Sequence, residues 1–362
     1  MTIEGLAGNR IIGTNTERLG ADFATQGGWK ELARTELGSA NATVSVTGLP
    51  DKQYYMILCD RTASSGGQNT GVQLNGDTSS NYAFRRNAGA SDNPETDQIS
   101  MEGLSTNTSY AFEVGHLANL ANKEKLSIRQ SVARNGGGEA NPPYGADMVG
   151  KWDNVSDAVS SYQWISANST TFSSGSEVVV LGYDKDDTHT DNFWEELASV
   201  ELTGTNVKID SGTFTSKKYL WVQIYYNQSG VSGHRKIRLG DATNGLDSGS
   251  NYSQQWNING GAQGNENTET GWFIDQGSSG SVTSGFINMF FRNNPTEEKL
   301  CIRDEVWNYT SGASTANIFK SRYTGKWAMT DAGINQVTLE KSSGSDNGTF
   351  GAGSIIKVWG SN

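Results

Sequence analysis

The feature that most constrains this chain is that it is written twice. Trp29-Lys30-Glu31-Leu32-Ala33 returns 165 residues later as Trp194-Glu195-Glu196-Leu197-Ala198, and Glu36-Leu37 returns as Glu201-Leu202 in the same register. Lys52 and Tyr54 meet Lys217 and Tyr219, and Asn81-Tyr82 meets Asn251-Tyr252 after one longer loop. Glu124-Lys125-Leu126-Ser127-Ile128-Arg129 matches Glu298-Lys299-Leu300-Cys301-Ile302-Arg303, and Gly150-Lys151-Trp152 matches Gly325-Lys326-Trp327. The copies close with Phe172, Gly175-Ser176, Val180 and Gly182 against Phe350, Gly353-Ser354, Val358 and Gly360. The matches keep one order and shift only across polar loops, so two homologous domains are expected, each closing its own core.

The class of each copy follows from its periodicity. Short apolar runs alternate with clusters of Gly, Ser, Thr and Asn, and Pro is scarce at 5 of 362 residues, which reads as strands between turns. Tyr54 to Leu58, Asn81 to Arg86, Tyr110 to Val114, Leu126 to Gln130, Tyr162 to Ile165 and Glu177 to Leu181 read as strands in the first copy. Tyr219 to Tyr226, Tyr252 to Asn257, Phe286 to Phe291, Leu300 to Arg303, Val337 to Leu339 and Ile355 to Trp359 answer them in the second. No segment sustains a 3.6-residue period; Glu31 to Leu37 is expected to form at most one short turn or helix. The expectation is an all-β chain of two tandem antiparallel jelly-roll-like β-sandwiches. Its parts are an arm over 1–28, a first repeat over 29–183, an acidic linker over 184–193 and a second repeat over 194–362.

Charge and termini narrow the partners. A net charge of −11 and a pI near 4.8 argue against nucleic acid and anionic membranes, which need clustered Lys and Arg. No apolar run approaches the ~18 residues of a spanning helix, and the start Met1-Thr2-Ile3-Glu4-Gly5 has neither the basic nor the apolar stretch of a secretion signal. Cys59 and Cys301, one in an apolar run of each copy, are expected as free core thiols.

Chemistry-bearing patterns are few. His116 falls opposite Phe290 in the second copy, His189 lies in the linker and His234 in a polar loop, so the histidines form no cluster. Glu31 with Glu196, Glu36 with Glu201 and Glu124 with Glu298 recur, but as scattered single acids whose expected role is ion pairing with Lys or Arg. Gly150-Lys151-Trp152 lacks the Ser or Thr of a phosphate loop, and the acidic linker lacks the spaced ligands of a Ca²⁺ loop. No catalytic, metal or cofactor residue is assigned. Trp164, Trp221, Trp256, Trp272 and Trp307 are not shared between copies and are the candidates for stacking on a sugar. Arg10, Ile11, Ile12 and Thr14 of the arm are the candidates for adding a strand to a neighbouring protein.

With the repeat laid out, the sequence resembles tandem jelly-roll virion proteins of tailed phages, especially marine ones, and of large algal viruses. The resemblance rests on Gly76-Asp77 and Asn81-Tyr82, echoed by Gly240-Asp241 and Asn251-Tyr252, on the two Gly-Lys-Trp motifs, and on the closing Phe-x-x-Gly-Ser strand. It spans residues 29 to 362, and Arg10 to Arg18 is similar to an N-terminus common among phage structural proteins. The resemblance implies a non-enzymatic component of the virion surface, a capsid decoration or fibre-like subunit, assembled in the host cytoplasm. Its implied partners are the major capsid or tail protein of the same particle and further copies of itself. The rival readings are a tail module binding a host carbohydrate or receptor, and a tail-borne polysaccharide depolymerase.

Overall fold

The computed structural model describes residues 28–62, 70–86, 91–101, 110–166, 170–184, 187–229, 235–261, 263–274, 283–308, 318–341 and 348–362. The arm residues Arg10, Ile11, Ile12 and Thr14, and His234, lie outside the described residues. Every regular element among the described residues is a strand, and every strand pair is antiparallel where a register is given.

The first compact unit comprises the chain up to Ser131 together with Ala146–Trp194. Its strands, in chain order, are β1 (Lys30–Glu36), β2 (Thr43–Thr47), β3 (Tyr54–Arg61), β4 (Thr70–Leu74), β5 (Tyr82–Arg86) and β6 (Ser91–Thr96). They continue as β7 (Ile99–Met101), β8 (Ala111–Ala118), β9 (Lys125–Ala133), β10 (Tyr144–Trp152), β11 (Ser161–Ser166) and β12 (Glu177–Tyr183). An eight-stranded sheet runs β1-β12-β3-β8-β9-β10-β5-β6 and a four-stranded sheet runs β2-β11-β4-β7. Sequence-distant strands are neighbours because strands alternate between the sheets, as a sandwich requires.

The second unit comprises Val132–Gly145 and Glu195–Asn362. Its strands are β13 (Glu195–Glu201), β14 (Lys208–Asp210), β15 (Tyr219–Ser229), β16 (Arg235–Asp241), β17 (Gly245–Leu246), β18 (Tyr252–Ile258) and β19 (Gln263–Glu269). They continue as β20 (Trp272–Ile274), β21 (Ser284–Arg292), β22 (Lys299–Asn308), β23 (Ile318–Trp327), β24 (Ile334–Lys341), β25 (Thr349–Phe350) and β26 (Ile355–Ser361). The large sheet repeats the order of the first as β13-β26-β15-β21-β22-β23-β18-β19, facing β14-β24-β16-β17. Both units are therefore jelly-roll-like β-sandwiches.

Alternation decides which side chains are buried between the sheets. In the first unit Tyr55, Ile57 and Cys59 of β3 face Val72, Leu74, Tyr162 and Trp164 of the small sheet in one apolar cluster. In the second, Leu220, Val222 and Ile224 of β15 face Ile237, Leu239, Val337 and Leu339. Both cysteines are buried and unpaired, and burial pushes each thiol well above its ordinary pKa.

The shared motifs are structural latches. Tyr82 and Tyr252 each accept an amide hydrogen across the sandwich, from Leu74 and Leu239, at 2.9 Å. Each ring stacks on the Gly-Lys-Trp indole, Trp152 at 6.3 Å and Trp327 at 6.2 Å. Those indoles donate to Asp77 at 2.8 Å and to Asp247 at 2.7 Å. Asp247, not Asp241, is therefore the true counterpart of Asp77; Asp241 instead accepts the amides of Thr243 and Asn244 in the β16–β17 turn. The glycines of the motif are places of close approach. A Cβ on Gly150 would sit 2.8 Å from Ile99, and one on Gly325 would sit 2.7 Å from Trp272.

Glu31 to Leu37 forms no helical turn. Lys30–Glu36 is an edge strand whose register slips between Glu31 and Ala33, and β13 slips at the same place, between Glu196 and Ala198. A bulge at an edge breaks the two-residue alternation, which is why the segment reads ambiguously in sequence. The acidic linker is tied down by ion pairs: Asp184 and Asp187 pair with Lys52, and Asp191 with Lys30 at 2.9 Å.

Candidate functional site

The outer face of the first large sheet carries the residues that alternation turns away from the core. Tyr54 on β3, His116 on β8, Leu126 and Ile128 on β9, and Val149 on β10 share this face with Trp29, which enters beside β1. They bound an open concave groove of about 960 Å³. Leu126, Ile128 and Val149 are 55%, 59% and 50% exposed. Three large apolar side chains adjacent on one sheet face form a contiguous patch of the kind that marks an interaction surface. Trp29 packs edge-on to His116 at 6.5 Å and against Tyr183 at 5.9 Å. His116 reaches solvent, yet loss of solvation among apolar neighbours holds its pKa below the usual value, favouring the neutral ring. At the rim, Lys151 donates to Glu124 at 2.8 Å; this hydrogen bond raises the lysine and lowers the carboxylate.

In the second unit the same positions are closed. Leu300, Ile302 and Thr324, the counterparts of Leu126, Ile128 and Val149, are 0%, 1% and 3% exposed. Trp221 stacks on Phe290 at 5.5 Å and meets Trp359 at 5.2 Å on this face. The segment Val132–Gly145 lies over it. Arg134 and the Gly138 amide both bind Glu298 at 2.5 Å, and Lys326 donates to the Gly136 carbonyl at 3.1 Å. The Gly145 amide donates to Gln255 at 3.1 Å, and Gly145 passes so close to Thr324 that a Cβ would come within 2.6 Å of its methyl. Glu298 and Lys326 are the counterparts of Glu124 and Lys151. The strap thus engages the pair that remains solvent-facing in the first unit. Covered this way, Lys326 loses solvation and its pKa falls to about 8.

The carboxylates flagged in sequence are dispersed. Glu31 pairs with Arg34 at 2.8 Å and Glu196 with Lys357 at 3.3 Å, while Glu36 and Glu201 are exposed at strand ends. His189 sits near Gly28 and Asp191. Among the described residues no group of three or more His, Cys, Asp or Glu converges as a metal site. Sequence reading missed Glu113, which is buried in the first core, where it pairs with Arg129, accepts from Thr70 at 2.6 Å and from Trp164 at 3.2 Å. It has no acidic counterpart in the second copy, where Ile287 stands. Enclosed between the sheets, this network locks the core rather than presenting a reacting group.

The tryptophans assigned to sugar stacking require correction. Trp164, Trp272 and Trp307 are buried, Trp164 stacking on Phe172 at 4.3 Å and Trp307 on Phe319 at 4.2 Å. Trp221 is buried in the closed outer face, and Trp256 is half-buried, tilted against Tyr323 at 6.5 Å. Four of the five indoles have no open face for a pyranose, because lack of a counterpart in the other copy reflects a different core partner, not exposure.

Fold and face together define a tandem β-sandwich protein with one open and one strapped sheet face. No family model matches the sequence, and no curated protein matches it. Among solved structures, the chain is similar to domains LG4-5 of the mouse laminin alpha1 chain, at 10% identity and TM-score 0.17, over 92% of this chain and 91% of that one. It is similar to the LG1-3 region of the laminin alpha2 chain at 7% identity and TM-score 0.22, over 92% of this chain and 63% of that one. Neisserial surface protein A matches at 4% identity and TM-score 0.13, over 80% and 99%. Likenesses this distant carry no functional argument. No helix among the described residues is long and apolar enough to cross a membrane.

Proposed function

We propose that this chain is a non-enzymatic structural subunit of a virion exterior, and that the open face of the first sandwich is its seat for a polypeptide of the particle. The observation that supports this reading is the contrast between equivalent faces: Leu126, Ile128 and Val149 stand exposed where their counterparts are covered by chain. A face that accepts a polypeptide strap in one copy has the shape and chemistry to accept one in the other. The virion setting comes from the sequence resemblance, and the acidic surface and dispersed carboxylates are compatible with it.

The test is attachment to purified capsids and tails of the virus encoding the chain, measured by co-sedimentation. Ile128→Asp and Leu126→Asp place a charge on the open face without touching either core. Attachment lost in both variants, with circular dichroism unchanged, is the expected result. Attachment at the level of the unaltered protein would remove the face from the reading.

A further inference from the structure

The second sandwich carries an exposed apolar stripe of its own. Tyr225 on β15, Phe286 on β21, Val306 on β22 and Ile318 at the start of β23 are between 38% and 56% exposed. They cross adjacent strands, since Tyr225 pairs with Phe286, Phe286 with Val306, and Asn308, two residues past Val306, with Ile318. Ile224, Ile287 and Trp307, their chain neighbours, point into the core, so alternation turns the stripe to the outer face. The equivalents of Phe286, Val306 and Ile318 in the first copy are Phe112, Val132 and Pro143, and all three are buried. Val132 and Pro143 belong to the segment Val132–Gly145 that covers the second sheet face. Burial is therefore reciprocal. The second unit has its seat sealed, and the chain that seals it is the connection between β9 and β10 with its flanking residues. The first unit has its seat open, and the equivalent connection, between β22 and β23, is flanked by the exposed Val306 and Ile318. One chain thus offers an open seat on one unit and an open strap-side stripe on the other.

We infer that a second copy of this chain fills the seat, with Phe286, Val306 and Ile318 of one copy docked on Leu126, Ile128 and Val149 of the next. The sealed second face is the precedent for this contact. The seat side is preserved between the copies in its Leu-x-Ile strand and its Glu and Lys rim, and the strap side in Phe112 and Val132, which return unchanged as Phe286 and Val306. Burial of Leu300 and Ile302 shows that this strand text accepts a cover. Size also fits. Four large apolar side chains about half exposed give each patch roughly 400 Å², about half of the ~800 Å² per partner that a stable interface buries. A polar rim makes up the remainder in interfaces of that size. Because seat and stripe are different surfaces on different units, the contact is heterologous. Each copy that docks presents a further stripe, so association continues head to tail until the rotation closes a ring or a filament grows. This inference rests on the reading of the face as a polypeptide seat and names the chain itself as the occupant.

Sedimentation equilibrium on the full chain tests it, between about 2 and 200 µM to bracket a micromolar contact. The unaltered protein is expected to rise from 39.0 kDa to at least twice that mass. Ile128→Asp, which spoils the seat, and Val306→Asp, which spoils the stripe, should each remain at the monomer mass with unchanged circular dichroism. Their equimolar mixture should form a one-to-one dimer and nothing larger, because only the seat of Val306→Asp and the stripe of Ile128→Asp can meet. Val149→Lys and Phe286→Lys replace either variant that fails to fold. A monomeric unaltered protein would overturn the inference, as would assembly that survives in either single variant or a mixture that stays monomeric. Particle attachment separates this inference from the proposed function. A monomeric mixture, with attachment still lost in Ile128→Asp, removes the second copy and leaves the seat to another protein of the particle. Attachment unaffected by Ile128→Asp, with the mixed dimer formed, removes the seat from the proposed function and leaves head-to-tail association standing.

Discussion

Two faces of one duplicated fold differ more than their sequences suggest. Leu126-Ser127-Ile128 and Leu300-Cys301-Ile302 are nearly the same text on equivalent strands, yet one pair of aliphatic side chains faces solvent and the other is sealed. The Glu and Lys flanking them are identical, but Glu124 pairs with Lys151 at the surface, whereas Glu298 is held by Arg134 and a backbone amide. Duplication copied the sheet and the latches; it did not copy the cover. The difference teaches that the same apolar strand text can be sealed by chain from outside its own repeat, as Val132–Gly145 seals the second face, or left exposed, as in the first.

The largest expected effect breaks this comparison at one matched position. Leu300→Ala should destabilise the protein by about 2–5 kcal/mol, as for a fully enclosed leucine, while Leu126→Ala should stay within about 0.5 kcal/mol; urea unfolding measures both. Equal costs would show that the first face is covered too.

Next in size is the strap's closest approach. Gly145→Ala forces a methyl against Thr324 and should cost about 1–3 kcal/mol. The double variant with Thr324→Ser should recover part of that cost, since the methyl of Thr324 is the nearest atom. No recovery would mean that the strap cannot shift and that backbone, not the methyl, sets the fit.

The rim acids should differ by less. Glu298→Gln removes charge from a hydrogen-bonded and nearly buried site and should cost about 1.5–3 kcal/mol. Glu124→Gln breaks an exposed pair and should cost at most about 1 kcal/mol. Similar values from thermal unfolding would erase the distinction between strapped and open rims.

The comparison extends to pH dependence, where the equivalent lysines carry opposite signs. Burial lowers Lys326 from 10.5 to about 8, so between those values the unfolded chain binds more protons and stability rises with pH. Lys299, lowered by burial to about 8, acts in the same direction. Lys151 is raised by its bond to Glu124, so its contribution is full below 10.5 and is lost only above that. Urea midpoints at pH 7.5 and 9.5 should therefore increase for the unaltered protein, increase less for Lys326→Met, and be unchanged in slope for Lys151→Met.

Much of the fold was legible because sandwiches announce themselves through alternation. Tyr219 to Tyr226 and Glu177 to Leu181 were readable as strands, since a strand packed on a core repeats every second residue. Thr70–Leu74 and Arg235–Asp241 were not, because Gly, Gln, Lys and Arg interrupt the apolar pattern although the strands are buried. The candidate site was readable only in its parts. Leu126 and Ile128 look like core residues in sequence, and so do Leu300 and Ile302; nothing local marks which pair is exposed. The unshared tryptophans misled for a related reason, since a buried indole needs a partner such as Phe172 or Phe319 that lies far away along the chain.

The sequence by itself determined the duplication, the all-β class, the free thiols and the positions of the recurrent Tyr and Trp, because these follow from local alternation and from identity between copies. Only the tertiary structure decided which outer face is covered, that Asp247 and not Asp241 receives the Trp327 indole, and that Val132–Gly145 belongs with the second unit. The physical reason is that alternation divides side chains into two faces but does not say what lies against either one. That depends on contacts between segments far apart in the chain, and here the same strand text, placed under a strap or left open, acquires opposite surroundings.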